Sequence, residues 1–586
     1  MSRTIPIFFV LLSLTGFCIA EIIPEARRTQ WQPGVPNGIP EVTGPVESVI
    51  DHGADPTGSS DSRQAFIAAI ETLPEMGGVV LIPEGTYLVT NTITVSKDNV
   101  IFRGEGIGKT RLLHDHSGLC FETITYKRGQ WQNFTDFQKG TNTITVDNGS
   151  AFTVGQFAEI MQDNDPVLMY TESNWNQSWA EGAVGQLFEV TEISGDQITF
   201  RSPIHYEVRS DLNPQIRPQG FVTGVGFENF YIERLQTGNS TFQFKNAAYC
   251  WIRGIESYHT RKSHVTNNTT LGCEFRDSYF HHSFSYGGGG SGYGVEFGYH
   301  CTDGLCENNV FDSLRHSMMV HVGAVGCVFG YNYSINPVQG DGETDLNQGW
   351  IPADISLHGH YGQMNLFEGN VVQEIGISDY WGPMGPGNTF LRNVVEGQGI
   401  FLYDHSHSQN LVGNVSTTWN DDGTSENTIR HGENIDGSLT WDQSIASRSI
   451  PSSYYLQSKP AFFGSVSWPF MGDNIEGSRK NPAQLRHEGE PLVTATPSVK
   501  NIARDNCFTL KVSGDKIVSS FYATSPAHAR FFLRDLRGRT VGSPIETSIS
   551  TGQHTISLET KHLTPGMYFC VIKTDEKEYM RPFICR

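Results

Sequence analysis

The sequence has little charge, few basic residues and almost no long apolar runs. Charged residues make up 18% of the chain, and 41 Lys and Arg stand against 62 Asp and Glu, which gives a net charge of −21 at pH 7. This acidic balance argues against nucleic acid as the main partner. Beyond an apolar run near the start, no stretch is apolar enough to span a membrane. No His and Cys residues fall at a spacing typical of zinc.

The apolar run, Ile5 to Ile19, follows a short basic start and ends at Ala20. This pattern is typical of a secretory signal peptide, which we place at residues 1–20. We therefore expect a secreted or cell-surface protein, most simply a monomer. Cys250, Cys273 and Cys327 are expected to pack inward, and an oxidising compartment would allow two disulfides. The two pairs are Cys301 with Cys306 and Cys570 with Cys585.

Five asparagines recur in the middle of the chain, each followed by an apolar or aromatic residue. They are Asn309, Asn332, Asn370, Asn393 and Asn414, separated by 23, 38, 23 and 21 residues. Short strands at a period of about 20–25 residues indicate a β-solenoid, in which each repeat forms one coil. Equivalent residues then stack about 4.8 Å apart, so that the asparagines can form a side-chain ladder.

The N-terminal part carries the sequence features of a capped β-helix. Gly53-Ala-Asp is followed by an acidic turn, a short amphipathic helix at 64–71 and Gly77-Gly-Val-Val-Leu-Ile-Pro-Glu-Gly-Thr-Tyr. This block resembles the pectate lyase/polygalacturonase superfamily of right-handed parallel β-helices. The resemblance implies an all-β fold with an N-terminal cap helix over the first coil. It implies little about chemistry, since that superfamily holds lyases, glycosidases, epimerases and tailspikes.

The remaining segments complete the predicted domain order. We expect the β-helix over residues 21–416, a small antiparallel insert at 138–218, and an irregular segment at 417–503 that packs along the helix or links onward. Residues 504–586 are predicted to form a β-sandwich. Their Asp535-Leu-Arg-Gly-Arg and Leu563-Thr-Pro-Gly-Met-Tyr-Phe resemble type IX secretion sorting domains, which implies a partner in the secretion machinery.

Basic residues collect in the turns before three successive predicted coils of this acidic chain. Such a local reversal of sign attracts an anionic polymer, and Arg can clamp a carboxylate or a sulfate. We therefore predict a groove for an acidic polysaccharide. The candidate catalytic residues are Arg315, His316 and His282. The candidate substrate-binding residues are Arg261, Lys262, His259, Tyr286, Tyr293, Trp350 and His358. Because Arg315 and His316 are expected in an exposed turn, alanine at either should cost less than about 1 kcal/mol of stability.

A long loop within the 38-residue step carries a second, weaker signal. Asp341, Glu343 and Asp345 alternate in the manner of Ca²⁺ ligands, although the full EF-hand pattern is absent. A Ca²⁺ site in this loop is therefore kept as an alternative, and no other cofactor is implied.

Three functions remain open from the residues alone. The first is a polysaccharide lyase acting by β-elimination, which needs a group that neutralises the substrate carboxylate, a base and an acid. The second is a glycoside hydrolase, which needs two carboxyl groups. The candidate carboxyl groups for it are Asp312, Asp354, Glu374, Asp379 and Asp404. The third is a non-catalytic glycan-binding surface protein. The first is favoured.

Overall fold

The computed structural model describes residues 22–340, 353–471, 480–489 and most of 508–585, where short gaps remain. The chain divides into two compact units, residues 1–494 and 495–586. The predicted signal peptide, Trp350 and the predicted Ca²⁺ ligands Asp341, Glu343 and Asp345 lie outside the described residues. Within the described part, no helix combines the length and the apolar character that crossing a membrane requires.

The first unit is a parallel β-helix, as predicted. Its first sheet has 12 strands, and successive strands in the sheet come from successive coils of the chain. These strands are Val46–Ser48, Gly78–Ile82, Val100–Gly104, Gly226–Glu228, Trp251–Arg253, Glu274–Arg276, Leu305–Glu307, Val328–Gly330, Leu366–Glu368, Thr389–Leu391, Asn410–Val412 and Ile429–His431. Parallel pairing therefore runs beyond residue 416, where the sequence placed the end of the coils.

A second sheet of 22 strands forms two further stacks of strands, which we call the second and third faces of the β-helix. The second face contains Thr57–Asp61, Gly85–Val89, Thr110–His114, Tyr231–Arg234, Glu256–Thr260, Tyr279–Ser283, Val310–Asp312, Tyr333–Ile335, Val415–Ser416, Glu433–Ile435 and Ser438–Thr440. The third face contains Ile93–Val95, Phe121–Ile124, Val222–Thr223, Phe242–Ala248, Ser263–Leu271, Tyr293–Phe297, His316–Val320, Ile355–Leu357 and Trp419–Asp421. Two long strands, Val371–Ile377 and Val394–Leu402, pair on both faces and join them.

Helices are few and sit outside the coils. The α-helix Arg63–Thr72 buries Ala65, Phe66, Ala69 and Ile70 against the first coil. It covers an otherwise open end of the core, as the resemblance implied. A second α-helix spans Pro482–His487. The 3₁₀ turns are Glu25–Arg27, Gly149–Ala151, Ser173–Trp175, Ser178–Ala180, Ser210–Leu212 and Ala461–Phe463.

The core of the helix is a stack of inward side chains in register. Phe329 lies on Phe367 with ring centroids 5.5 Å apart, and Phe367 lies on Phe390 at 4.9 Å. The predicted inward cysteines Cys250, Cys273 and Cys327 are buried free thiols, which confirms their packing role. Cys301 and Cys306 are also free thiols, so the candidate disulfide between them does not form. In the C-terminal unit the register sets Cys570 opposite Arg581 and Cys585 opposite Gly566.

The predicted asparagine ladder is confirmed and is longer than the five residues. In each rung the backbone N–H and the side-chain amide of one asparagine donate to Oδ1 of the next, at 2.9–3.1 Å. The ladder starts at Ser278, whose N–H donates to Asn309 Oδ1. It ends at Glu433, whose Oε1 accepts hydrogen bonds from the backbone N–H and the side-chain amide of Asn414, both at 2.9 Å. All of its members are buried, so each rung satisfies polar groups that water cannot reach.

The insert is a closed six-stranded antiparallel barrel, which begins slightly before the predicted residue 138. Its strands are Gln132–Thr135, Thr143–Val146, Phe157–Met161, Gly185–Ser194, Gln197–Phe200 and Gln215–Gln219. Buried polar contacts fix it to the helix: His300 Nδ1 lies 2.7 Å from Glu159, and His205 Nε2 lies 2.8 Å from Asp303. The loops of the barrel therefore hold a set position above the third face.

The segment after the last coils covers the outside of the helix. Phe462, Phe463 and Phe470 pack with Tyr331 and Tyr333 of the outer coil surface. Hydrogen bonds reinforce this packing, among them Tyr455 Oη to Glu307 at 2.7 Å. Packing along the helix is therefore seen for residues of 455–471 and for Ala483 of the helix Pro482–His487, whereas residues 419–435 still belong to the coils.

The C-terminal unit consists of two antiparallel sheets whose buried residues share one core. The first sheet contains Phe508–Ser513, Lys516–Ala523 and Gly552–Glu559. The second contains Ala527–Asp535, Thr540–Ile549, Gly566–Thr574 and Glu578–Cys585. Ile517 and Leu558 from the first sheet pack with Phe531 and Tyr568 from the second, as in a β-sandwich.

We expect Asn370→Ala to lower the free energy of unfolding by about 2–4 kcal/mol, because it strands buried donors and acceptors on both neighbouring rungs. Urea unfolding followed by tryptophan fluorescence measures this. Asn420→Ala is the matched control, since the half-buried Asn420 donates one bond, to Thr418. Equal losses in the two variants would contradict a special role for the ladder.

A chain that ends near Val499 is expected to keep the unfolding temperature of the full β-helix and to lose export or surface attachment. The reason is that the compact units divide between residues 494 and 495. Calorimetry and cell fractionation measure the two effects. A lower unfolding temperature of the helix would show that the sandwich supports it.

Candidate functional site

A cleft of about 1040 Å³ lies along the third face. Apart from Trp179 of the barrel insert, its residues come from seven successive coils, from Lys262 to Asp422. Six steps of about 4.8 Å make the cleft roughly 29 Å long, which suits a polymer rather than a small molecule. The lining residues used below are Trp179, Lys262, Tyr293, Glu296, Arg315, His316, His321, His358, Asp379, Tyr380, Trp381, Tyr403, Asp404 and Asp422.

The centre of the cleft holds a histidine–aspartate pair. His358 follows the strand Ile355–Leu357, and its Nδ1 contacts Oδ2 of Asp379 from the next coil. Burial raises the pKa of Asp379, but the charge and the hydrogen bond of His358 outweigh it and leave that pKa below its usual value. The backbone N–H of Trp381 donates to the other oxygen at 3.1 Å. Asp379 thus orients the ring, and Nε2 of His358 has no hydrogen-bond partner among the described residues.

Two further histidines surround His358. Ring centroids lie 5.8 Å apart for His316 and 6.3 Å apart for His321. His316 Nδ1 donates to the carbonyl of Ala353 at 3.0 Å. Burial lowers the pKa of His316 well below its usual value and that of His321 to about 3, and nearby positive charge adds to both effects. Both rings are therefore neutral at neutral pH.

A tyrosine and two cations lie toward the N-terminal end of the cleft. Tyr293 packs on His316 with ring centroids 5.1 Å apart, and the guanidinium of Arg315 lies 5.7 Å from its ring. Burial raises the pKa of Tyr293 to about 12, so that the phenol keeps its proton at neutral pH. Arg315 donates to the carbonyl of Gly287 at 2.7 Å, which fixes one side of the guanidinium. Lys262 is exposed and forms no ion pair with any described residue.

Carboxyl groups line the rest of the cleft. Glu296 accepts a hydrogen bond from Ser263 at 2.9 Å and lies 3.8 Å from His321 Nε2. Burial raises its pKa above the usual value. Asp404 and Asp422 lie at the C-terminal end, where the N–H of Asp404 donates to Asp422 at 2.9 Å. The cleft therefore has carboxyl groups in different protonation environments.

Aromatic rings form an apolar wall beside the polar groups. Trp381 lies 6.4 Å from the ring of His358, and Trp179 meets Trp381 edge to face at 5.5 Å. Trp179 comes from the barrel insert and is 47% exposed, and Tyr380 is 68% exposed. Large aromatic faces exposed in a cleft are suited to stacking on sugar rings.

The structure brings together five of the predicted residues: Lys262, Tyr293, Arg315, His316 and His358 line the cleft. Four others do not line it: His259, Arg261, His282 and Tyr286. His259 and His282 lie in second-face strands, where they contact Tyr258. Aligning the repeats in the sequence could not separate the second face from the third, because each repeat contributes a short strand to both faces.

The expectation that Arg315 and His316 lie in an exposed turn is wrong. They are only 8% and 2% exposed, and His316 begins the strand His316–Val320. Their polar atoms bond the carbonyls of Gly287 and Ala353. Alanine at either position therefore removes buried hydrogen bonds and costs stability as well as any activity.

The five carboxyl groups considered for hydrolysis separate in the same way. Asp379 and Asp404 line the cleft, whereas Asp312, Asp354 and Glu374 do not. Asp354 is buried and accepts from Ser334 Oγ at 2.6 Å and from two backbone N–H groups. Burial raises the pKa of Asp354 to about 6, and burial with the nearby Asp354 raises that of Glu374 to about 8. Asp354 and Glu374 are therefore buried parts of the coils and are not available to a substrate in the cleft.

Sequence reasoning missed Trp179, Glu296, His321, Trp381 and Asp422 as cleft residues. Trp179 lies in an insert more than 80 residues before the first coil of the cleft, so that only tertiary structure brings it there. A signal existed for Glu296 and His321, since Glu296 lies in the short strand Tyr293–Phe297 and His321 directly follows the next one, His316–Val320. His321 and His358 occupy equivalent positions in neighbouring coils, next to the pair Val320 and Leu357.

One set of metal-type ligands occurs in the described residues: His114, His116 and Cys120. Arg234 donates to Cys120 Sγ at 3.0 Å. Burial raises the pKa of Cys120 to about 12, so the thiol is protonated. A guanidinium at this position opposes a cation, and we assign no metal to the set.

Comparison with known families defines both ends of the chain. A family profile described as "Rhamnogalacturonase A/epimerase, pectate lyase-like" matches residues 46–208. A second, described as "Secretion system C-terminal sorting domain", matches residues 519–586. The chain thus carries a pectate lyase-like β-helix domain followed by a type IX secretion sorting domain. The sorting domain makes this a secreted or cell-surface protein. No curated protein sequence matches the chain significantly.

Solved structures that match the chain include a phage tailspike, an exopolygalacturonase and an epimerase module. The tailspike protein gp49 of Pseudomonas phage LKA1 is 14% identical with a TM-score of 0.49, over 63% of this chain and 64% of that one, which is less than two thirds. An exopolygalacturonase of Thermotoga maritima is 10% identical over 70% of this chain and 95% of its own, with a TM-score of 0.33. A mannuronan C-5 epimerase module of Azotobacter vinelandii is 12% identical over 67% of this chain and 98% of its own, with a TM-score of 0.24.

The low pKa of His321 predicts a pH-dependent contribution to stability. In the unfolded chain a histidine titrates near 6.5. A histidine whose pKa is lowered to about 3 in the folded state stabilises the fold above pH 6.5, and this contribution is lost as the pH falls from 6.5 toward 3. We expect the unfolding temperature of the wild type, relative to His321→Gln, to decrease between about pH 7 and about pH 5. His407→Gln, outside the cleft, is the control. If the unfolding temperature of the wild type decreased equally relative to His407→Gln, His321 would not be the cause of the pH dependence.

Proposed function

We propose that this protein is a secreted lyase that cleaves an acidic polysaccharide by β-elimination in the cleft. The observation that carries the proposal is the His358–Asp379 pair, which presents an oriented imidazole nitrogen in the middle of a polymer-sized groove. The match to a profile named for a rhamnogalacturonase and an epimerase supports action on an acidic glycan.

The groups required for elimination lie around this pair. In this reaction a base takes the C5 proton of a uronate, the C4–O4 bond breaks, a C4=C5 double bond forms, and an acid protonates the departing oxygen. His358 Nε2 is the base, and Asp379 stabilises the imidazolium that forms. Tyr293 is the acid, since its ring lies 6.3 Å from that of His358 and its phenol is protonated.

Arg315 and Lys262 neutralise the carboxylate of the reacting uronate. Neutralisation makes the C5 proton more acidic and stabilises the negative charge that develops in the transition state. The guanidinium of Arg315 is already fixed by the Gly287 carbonyl, so little reorganisation is required when the substrate binds.

A glycoside hydrolase is the second candidate, and one observation favours it. Burial raises the pKa of Glu296, whereas that of Asp379 is lowered by His358 against the effect of burial. A carboxyl group with a raised pKa and a second one with a lowered pKa in the same cleft are the combination that acid-catalysed hydrolysis uses.

A panel of acidic polysaccharides incubated with the purified protein separates the candidates. Ultraviolet absorbance from conjugated, unsaturated ends supports elimination. New reducing ends without that absorbance would instead identify a hydrolase, and binding without any product would identify a non-catalytic glycan-binding protein.

We expect His358→Ala and Tyr293→Phe each to lower kcat by about 10²–10⁴, the usual cost of losing a positioned proton-transfer group. Asp379→Asn, which keeps the size of the side chain, should lower kcat with little change in KM, because it alters the orientation of His358. Initial rates of product absorbance measure these effects. His407→Ala, outside the cleft, is the control. If His358→Ala kept normal rates and Glu296→Gln were inactive, the results would contradict the proposed lyase and support the hydrolase.

A further inference from the structure

The charges in the cleft are separated along the axis of the helix. Counting coils from Lys262, the second cation, Arg315, stands on the third coil, and His358 stands on the fourth. Asp404 and Asp422 occupy the sixth and seventh. One end of the groove thus carries the cations Lys262 and Arg315, with Glu296 on the coil between them, and the other end carries two carboxyl groups. The proposed catalytic pair lies between the two ends.

The two carboxyl groups of the acidic end accept hydrogen bonds from uncharged groups of the protein. Asp404 accepts a hydrogen bond from Ser378 Oγ at 3.2 Å, and Asp422 accepts from the Asp404 N–H and from Thr424. In the described part of the chain, no Lys or Arg forms an ion pair with either group. A carboxylate of the substrate placed here would meet two like charges, whereas sugar hydroxyls could donate to them.

The aromatic wall lies between the two ends. Asp379, Tyr380 and Trp381 belong to the fifth coil, and Trp179 of the barrel closes over Trp381. Indole faces bind the apolar faces of sugar rings and give no compensation for a carboxylate. The groove beyond His358 is therefore built for sugar units without negative charge.

We propose that the substrate is a heteroglycan in which uronate units are separated by uncharged sugars, and that Asp404 and Asp422 exclude homopolyuronates. This inference rests on the proposed function for its reaction and adds the substrate class. A homopolyuronate would place carboxylates along the whole groove of about 29 Å, including its acidic end. An alternating chain can place its uronate beside Arg315 and an uncharged unit against the aromatic wall.

The test compares the wild type with the double variant Asp404→Asn/Asp422→Asn. Asparagine keeps the size and the acceptor oxygen and removes the charge. The homopolyuronates are polygalacturonate and polymannuronate, and the alternating chains are hyaluronan, unsulfated chondroitin and rhamnogalacturonan. Binding is measured by affinity electrophoresis, and cleavage by product absorbance. Asp421→Asn is the matched control, because this exposed neighbour carries the same charge but does not line the cleft.

The wild type should prefer at least one alternating chain over both homopolyuronates. The double variant should reduce that preference by about tenfold or more, and raised salt should also weaken it. The control should leave it unchanged. Equal binding of both classes by the wild type, an unchanged preference in the double variant, or no binding to any of the five glycans would overturn the inference. Preferential binding without cleavage would overturn the proposed lyase and leave the inferred specificity standing.

Discussion

The asparagine ladder is the interaction on which the rest of the structure depends. Each rung joins one coil to the next through two donors and one shared acceptor, from Asn309 to Asn414 and on to Glu433. It fixes only one turn of each coil, so that a coil can lengthen elsewhere without losing register. The 38-residue step between Asn332 and Asn370 shows this, since its rung has the same 3.0 Å distances as the next one.

Register in turn creates the cleft. Residues far apart in sequence become neighbours because each coil adds one position to the same row, as His321 and His358 illustrate. A rigid array of this kind positions side chains before substrate binds, which reduces the reorganisation that catalysis would otherwise require. The barrel insert adds to the array because the buried pair of Glu159 and His300 holds it against the helix.

The electrostatics of the cleft differ from those of the whole chain. The net charge is −21, yet Lys262 and Arg315 make one end of the groove basic. Burial holds His316 neutral and Tyr293 protonated, whereas His358 keeps Asp379 ionised against the effect of burial. A neutral imidazole, a phenol and a carboxylate can therefore coexist in the cleft at one pH.

The sequence by itself determined the parallel β-helix, its ladder and the C-terminal sandwich, because a repeat period and strand patterns depend on near neighbours. The resemblance to known β-helices implied the cap helix. It also identified Arg315, His316 and Tyr293 as groove residues. Only the tertiary structure decided that His282 lies on another face, that Arg315 is buried, and that Trp179 reaches the cleft. These facts depend on how three faces meet and where an insert docks, and such long-range packing leaves no periodic trace in the sequence.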